Sequence, residues 1–134
     1  MKLDHIGIAV SDLDEARRLY GQLLGLEVSE PEELPDRQLR ICMVDLGVGG
    51  ANIELLWPTH PESAVGKFLA KRGPGIHHLC YRVDNVAAKL AELKAAGVRL
   101  IDEQPRPGAH HTLVAFIHPA SAGGVLTELS QPAP

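Results

Sequence analysis

The chain repeats itself, and that repeat limits what it can fold into more than any other feature. His5 and His78 stand 73 residues apart, Val10 and Val83 again 73, and Glu54 and Glu128 74. Equivalent residues of a tandem module keep a nearly constant separation, and one inserted loop residue accounts for the extra step. The neighbouring text agrees: Ile53-Glu54-Leu55 in the first half answers Thr127-Glu128-Leu129 in the second. With 134 residues, 45% of them hydrophobic, the chain has material for one compact domain or two small modules sharing a core.

Both halves show the same order of elements. LDHIGIAV alternates as a strand, with Ile6, Ile8 and Val10 on one side and His5, Gly7 and Ala9 on the other. Ser11, three residues before Asp14, predicts a capped helix start. Leu13, Ala16, Leu19, Tyr20, Leu23 and Leu24 then follow at helical spacing until Gly25. Strands are predicted over 26–28, 39–46 and 52–57, the last two joined by a turn at Gly47, Gly49 and Gly50. A connecting helix over 61–72 carries Val65, Phe68 and Leu69 and stops at Gly73-Pro74-Gly75. The second copy runs as a strand over 77–83, a helix lined by Val86, Leu90 and Leu93 and ending at Gly97, and strands over 98–101, 112–118 and 124–130. The expected fold class is α+β, built from two tandem βαβββ modules. Module one takes about 1–58, a linker helix about 61–72 and module two about 76–131, within a single domain over 1–134.

Charge removes several classes of function. Thirteen Lys and Arg against seventeen Asp and Glu give a net charge of −4, so there is no basic field to hold a nucleic acid or an anionic membrane. Charged residues open the chain at Lys2 and Asp4, and no apolar run approaches the roughly 18 residues that span a bilayer. The expectation is a soluble, untargeted, cytoplasmic protein. Cys42 and Cys80 each lie in an apolar strand-like segment and read as reduced core thiols.

The chemistry sits in the duplicated residues. A carboxylate in a strand otherwise made of Ile, Leu, Val and Trp is costly to desolvate unless it meets a cation or several donors, and Glu54 and Glu128 both have this problem. A lone strand histidine is ordinarily a satisfied core residue. Recurrence of His and Glu at matching positions in both halves points instead to one divalent ion compensating both carboxylates. Two imidazoles and two carboxylates, with water or substrate completing the shell, suit Co, Ni, Mn, Fe or Zn in a catalytic type of site. The remaining histidines read differently. His77 points away from His78's face, His60 lies in a Pro-flanked loop, and His118 precedes Pro119 in a turn. His110 and His111 sit in a loop where substrate contact is expected.

These features resemble the vicinal oxygen chelate superfamily, and the likeness covers nearly the whole chain. DHIGIAV at 4–10, IELLWPTHPESAVGKFLAKRGPGIHHLCYRVDN at 53–85 and FIHPASAGGVLTELSQ at 116–131 are similar to its methylmalonyl-CoA epimerase branch. The resemblance implies that the two βαβββ modules form a curved mixed sheet around a metal cleft, with metal ligands at His5, Glu54, His78 and Glu128, one divalent ion with Co2+ first in order, an acyl-CoA substrate and a homodimer. It also implies epimerisation at C2 of methylmalonyl-CoA by proton removal and redelivery through an enolate, with Glu128 as both ligand and base. Some epimerases carry a glutamate in the third strand of module one, and here Ile41 stands in its place. That leaves the second acid open, with His110 and His111 as candidate donors. Acyl-CoA recognition calls for basic groups, and Lys67, Lys71, Arg72 and Arg106 are available. Two other activities share this chemistry or fold: glyoxalase I, a lactoylglutathione lyase with the same ligand types, and antibiotic-binding members that turn nothing over.

Overall fold

A computed structural model describes residues 1–134. The chain divides into two compact units, His5–His77 and Met1–Asp4 together with His78–Pro134.

In the unit His5–His77, β1 (Lys2–Ala9) runs parallel to β5 (Asn52–Pro58), with Gly7 opposite Glu54 and Ala9 opposite Leu56. β5 pairs antiparallel with β4 (Leu39–Asp45), which is flanked by β2 (Glu27–Val28) and β3 (Glu32–Leu34). The expected alternation decides the packing. Ile8 and Val10 join Leu13, Cys42, Val44 and Leu55 beneath α1 (Leu13–Arg17). On the other face Ala9, Leu39, Ile41 and Leu56 meet Val65 of α2 (Ala64–Arg72). Each fully buried leucine or isoleucine here contributes about 1.5–3 kcal/mol.

The second unit repeats the plan. β6 (Gly75–Arg82) runs parallel to β9 (Leu126–Pro132), with Cys80 opposite Glu128, and β9 pairs antiparallel with β8 (Thr112–Ile117). β8 pairs with β7 (Arg106–Gly108). Under α3 (Val86–Ala95) lie Val83, Val86, Leu90, Ala115, Ile117 and Leu129. Asn85 caps α3, its side chain accepting from the Ala88 N–H at 2.9 Å.

Several local expectations are corrected. Asp12, not Ser11, caps α1, its carboxylate accepting from the Glu15 N–H at 3.0 Å. After Arg17 the helix widens into a π turn over Arg18–Leu23, where the Leu24 N–H reaches the Leu19 carbonyl at 2.9 Å. The widening changes the phase of the apolar stripe, so Leu19, Leu23 and Leu24 are exposed while Leu13, Ala16 and Tyr20 stay packed. The linker helix begins at Ala64 because Glu62 is held in a turn by the His60 ring and Ser63 serves as the cap. Residues 98–101 form no strand beyond a bridge from Leu100 to Ile117. The N–H groups of Ile101 and Asp102 converge on the Phe116 carbonyl at 2.9 and 3.2 Å, which ends the ladder. β3 and β7 are edge strands of three residues that alternation did not reveal, and β9 runs two residues later than the expected 124–130.

Candidate metal centre

Each unit places one histidine and one glutamate on the sheet face that its first helix, α1 or α3, does not cover. In the first, Gly7 faces Glu54 across β1 and β5, and His5, two residues earlier, projects from the same face. His5 and Glu54 are 9% and 8% exposed, and His5 Nε2 lies 3.9 Å from Glu54 Oε1. In the second, Cys80 faces Glu128 and His78 precedes Cys80 by two residues. His78 and Glu128 are 5% and 3% exposed, with His78 Nε2 3.4 Å from Glu128 Oε1. The repeat has carried the pair along with the strands.

These separations suit shared ligation better than a direct bond. A charge-assisted N–H···O contact is about 2.7–2.9 Å long. Two donors each about 2.1 Å from one ion, at tetrahedral or octahedral angles, lie ~3.0–3.4 Å apart. The His78–Glu128 pair already has that spacing at 3.4 Å, and the His5–Glu54 pair, at 3.9 Å, is half an ångström wider. Imidazole nitrogen and carboxylate oxygen, both nearly sealed from solvent, are a donor set that fits a divalent ion, and burying such carboxylates costs several kcal/mol unless a cation compensates them.

The other expected site residues fall elsewhere. His110 and His111 are exposed at the tip of the β7–β8 hairpin with φ of 57° and 54°, a left-handed backbone that non-glycine residues seldom adopt. His77 packs edge-on against Phe68, ring centroids 5.0 Å apart, as a structural residue. The rings of His60 and His118 accept from the N–H groups of Glu62 and Ala120, both at 3.0 Å, and serve turns. Ile41 is fully buried among Ala9, Leu39, Leu56 and Val65. Both cysteines are buried and neither is in a disulfide, and burial raises the Cys42 thiol above its ordinary pKa. No helix is long and apolar enough to cross a membrane. Sequence reasoning missed the setting of Arg106. Asp102 takes the Phe116 N–H at 2.9 Å on one oxygen and stands 3.4 Å from Arg106 Nε with the other. Arg106 was legible only as one basic residue among several, because the three-residue strand that positions it was not.

Residues 4–116 match the model of the Glyoxalase/Bleomycin resistance protein/Dioxygenase superfamily. Among curated proteins, the mitochondrial methylmalonyl-CoA epimerase of Bos taurus is 40% identical over 131 residues, covering 97% of this chain and 74% of that protein. Among solved structures, methylmalonyl-CoA epimerase from Mycobacterium tuberculosis is 43% identical with a TM-score of 0.91, covering 99% of this chain and 89% of that one. A variant of the Streptomyces coelicolor methylmalonyl-CoA epimerase in complex with 2-nitronate-propionyl-CoA is 39% identical with a TM-score of 0.89, covering 99% and 95%. With the family model spanning most of its length and identities near 40% across nearly all of it, the chain belongs to the glyoxalase/bleomycin resistance/dioxygenase superfamily, in its methylmalonyl-CoA epimerase branch.

Proposed function

We propose that the protein epimerises methylmalonyl-CoA at C2, with His5, Glu54, His78 and Glu128 holding one divalent metal. The observation that carries this reading is the retention of both buried His–Glu pairs in a chain about 40% identical to epimerases over nearly its full length. The C2 proton lies between a thioester and a carboxylate and is acidic enough to remove once the enolate charge is stabilised. A bound divalent ion, Co2+ first among the candidates, supplies Lewis-acid stabilisation of that charge. Glu128 takes the proton: it is 3% exposed, so its carboxylate acts with little competing water, and His78 orients it from 3.4 Å. Inversion needs delivery from a second group. Ile41 cannot supply it, and His110 and His111, on an exposed hairpin tip, are the donors we assign to the substrate loop. The reading also includes a cytoplasmic homodimer comprising one domain per chain. The Streptomyces coelicolor protein solved with an acyl-CoA analogue supports a CoA thioester as the ligand class.

The test is exchange of the C2 proton of methylmalonyl-CoA for deuterium in heavy water, followed by NMR with chelator-treated and cobalt-loaded protein. Exchange should require metal and be lost in Glu128→Gln. No exchange in protein shown to hold metal refutes the epimerase assignment, and thioester formation from methylglyoxal and glutathione would then identify a lyase.

A further inference from the structure

Arg106 is a half-exposed cation held at once by its strand register, a carboxylate and an aromatic ring. The edge strand β7 sets it opposite Val114, in the register that puts Pro107 opposite Leu113 and Gly108 opposite Thr112. Gly108 makes that register possible, since a Cβ there would stand 2.6 Å from both Thr112 Oγ1 and Val114 Cγ1. The guanidinium lies over the Phe116 ring, 5.4 Å from its centroid. Asp102, 18% exposed and fixed by the Phe116 N–H, stands beside Nε at 3.4 Å. A tether at Nε leaves the Nη edge of the fork open, and that edge can receive a planar carboxylate in two parallel bonds.

The guanidinium is near the proposed chemistry. Phe116 faces Glu128 across β8 and β9, and its ring meets the His78 ring edge-on with centroids 6.1 Å apart. One aromatic ring therefore separates the guanidinium from the His78–Glu128 pair. The repeat sharpens the point. Glu32 lies opposite Ile41 as Arg106 lies opposite Val114, so the equivalent edge position of the first unit carries the opposite charge. Only the second unit places a cation at this position.

Resting on the epimerase reading, we propose that Arg106 recognises the free carboxylate borne by the reacting carbon, and so makes the site selective for dicarboxylic over monocarboxylic acyl-CoA thioesters. Methylmalonyl-CoA and propionyl-CoA differ only in that carboxylate, and their dissociation constants can be measured by calorimetry on the cobalt-loaded protein. Wild-type protein should bind methylmalonyl-CoA more tightly. Arg106→Gln should weaken methylmalonyl-CoA between roughly 10- and 100-fold, the range of a lost charge-assisted pair, and leave propionyl-CoA within about threefold by the same reasoning. Arg106→Lys should recover part of the preference, and Asp102→Asn should lose part of it by releasing the fork. An equal loss for both thioesters would assign Arg106 to the CoA moiety or to folding and overturn the inference, as would unchanged binding of both. Neither outcome touches the epimerase reading, which C2 exchange by the wild type establishes separately. Wild-type protein that binds neither thioester sinks both.

Discussion

Metal loading should raise the melting temperature by about 10 °C, and the size of that rise can be worked out beforehand. At a free concentration 100 times its dissociation constant, an ion that binds only the folded state adds about 2.7 kcal/mol. For 134 residues the unfolding entropy at the midpoint is about 0.28 kcal/mol/K, at ~2.1 cal/mol/K per residue. The quotient is roughly 10 °C. Replacing Glu128 by Gln removes a ligand that is 3% exposed and 3.4 Å from His78 Nε2. If affinity falls 100-fold, the same ion concentration adds only about 0.4 kcal/mol, a rise of 1–2 °C. Differential scanning calorimetry on chelator-treated and cobalt-loaded samples of both proteins reads the two increments. Comparing increments, not absolute midpoints, cancels whatever the substitution does to the metal-free fold. Wild-type samples melting within about 2 °C of each other, or a full increment surviving in Glu128→Gln, would refute the assignment of Glu128 as a ligand.

Other consequences reach beyond the metal. Gly66→Ala in α2 should destabilise by about 1–3 kcal/mol in urea titrations, although alanine ordinarily favours a helix by ~1 kcal/mol, because the new Cβ would sit 2.6 Å from the carbonyl oxygens of His60 and Pro61. A stabilised Gly66→Ala protein would show that the preceding turn yields freely. His111→Gly should raise stability by up to about 1 kcal/mol, since φ of 54° costs a histidine that much and a glycine nothing. A loss would mean that the imidazole contributes more than the strained backbone costs. Cys42, whose thiol burial holds above its ordinary pKa, should resist alkylation in the native protein well past pH 8. The sign for stability follows: the folded state keeps a proton that the unfolded chain gives up, so stability is full below the ordinary thiol pKa and falls as pH rises above it. A Cys42→Ala variant should flatten that alkaline decline, and an unchanged slope would remove Cys42 as its source.

How far the sequence revealed this molecule depended on whether a feature was written in a period. β1 was legible because Ile6, Ile8 and Val10 alternate with His5, Gly7 and Ala9, and the structure sorts Val10 and Ala9 into separate apolar clusters. The His–Glu pairs were legible because a buried charge is costly and appears twice at nearly the same offset. Where a side chain or a carbonyl overrides the period, reading failed. Asp12 outcompetes Ser11 as a cap, the π turn exposes Leu23 and Leu24, and the shared Phe116 carbonyl stops a strand at Leu100. Edge strands of three residues such as Glu32–Leu34 and Arg106–Gly108 contain too little alternation to be seen at all.

The same contrast bears on function. Duplication copied the residues proposed to hold the ion: one strand histidine and one strand glutamate in each unit, at equivalent registers. A substrate bound there has no twofold symmetry, since an acyl-CoA carries its carboxylate on one side of the reacting carbon and its thioester on the other. Discrimination must therefore come from positions where the copies have diverged. Ile41 and Val114 remain apolar and buried in both, so they cannot provide it. The adjacent edge positions, Glu32 and Arg106, differ in charge, and Arg106 is tethered by Asp102 and laid over Phe116. Within the proposed site, metal ligation is where the modules agree, and substrate specificity is to be sought where they do not.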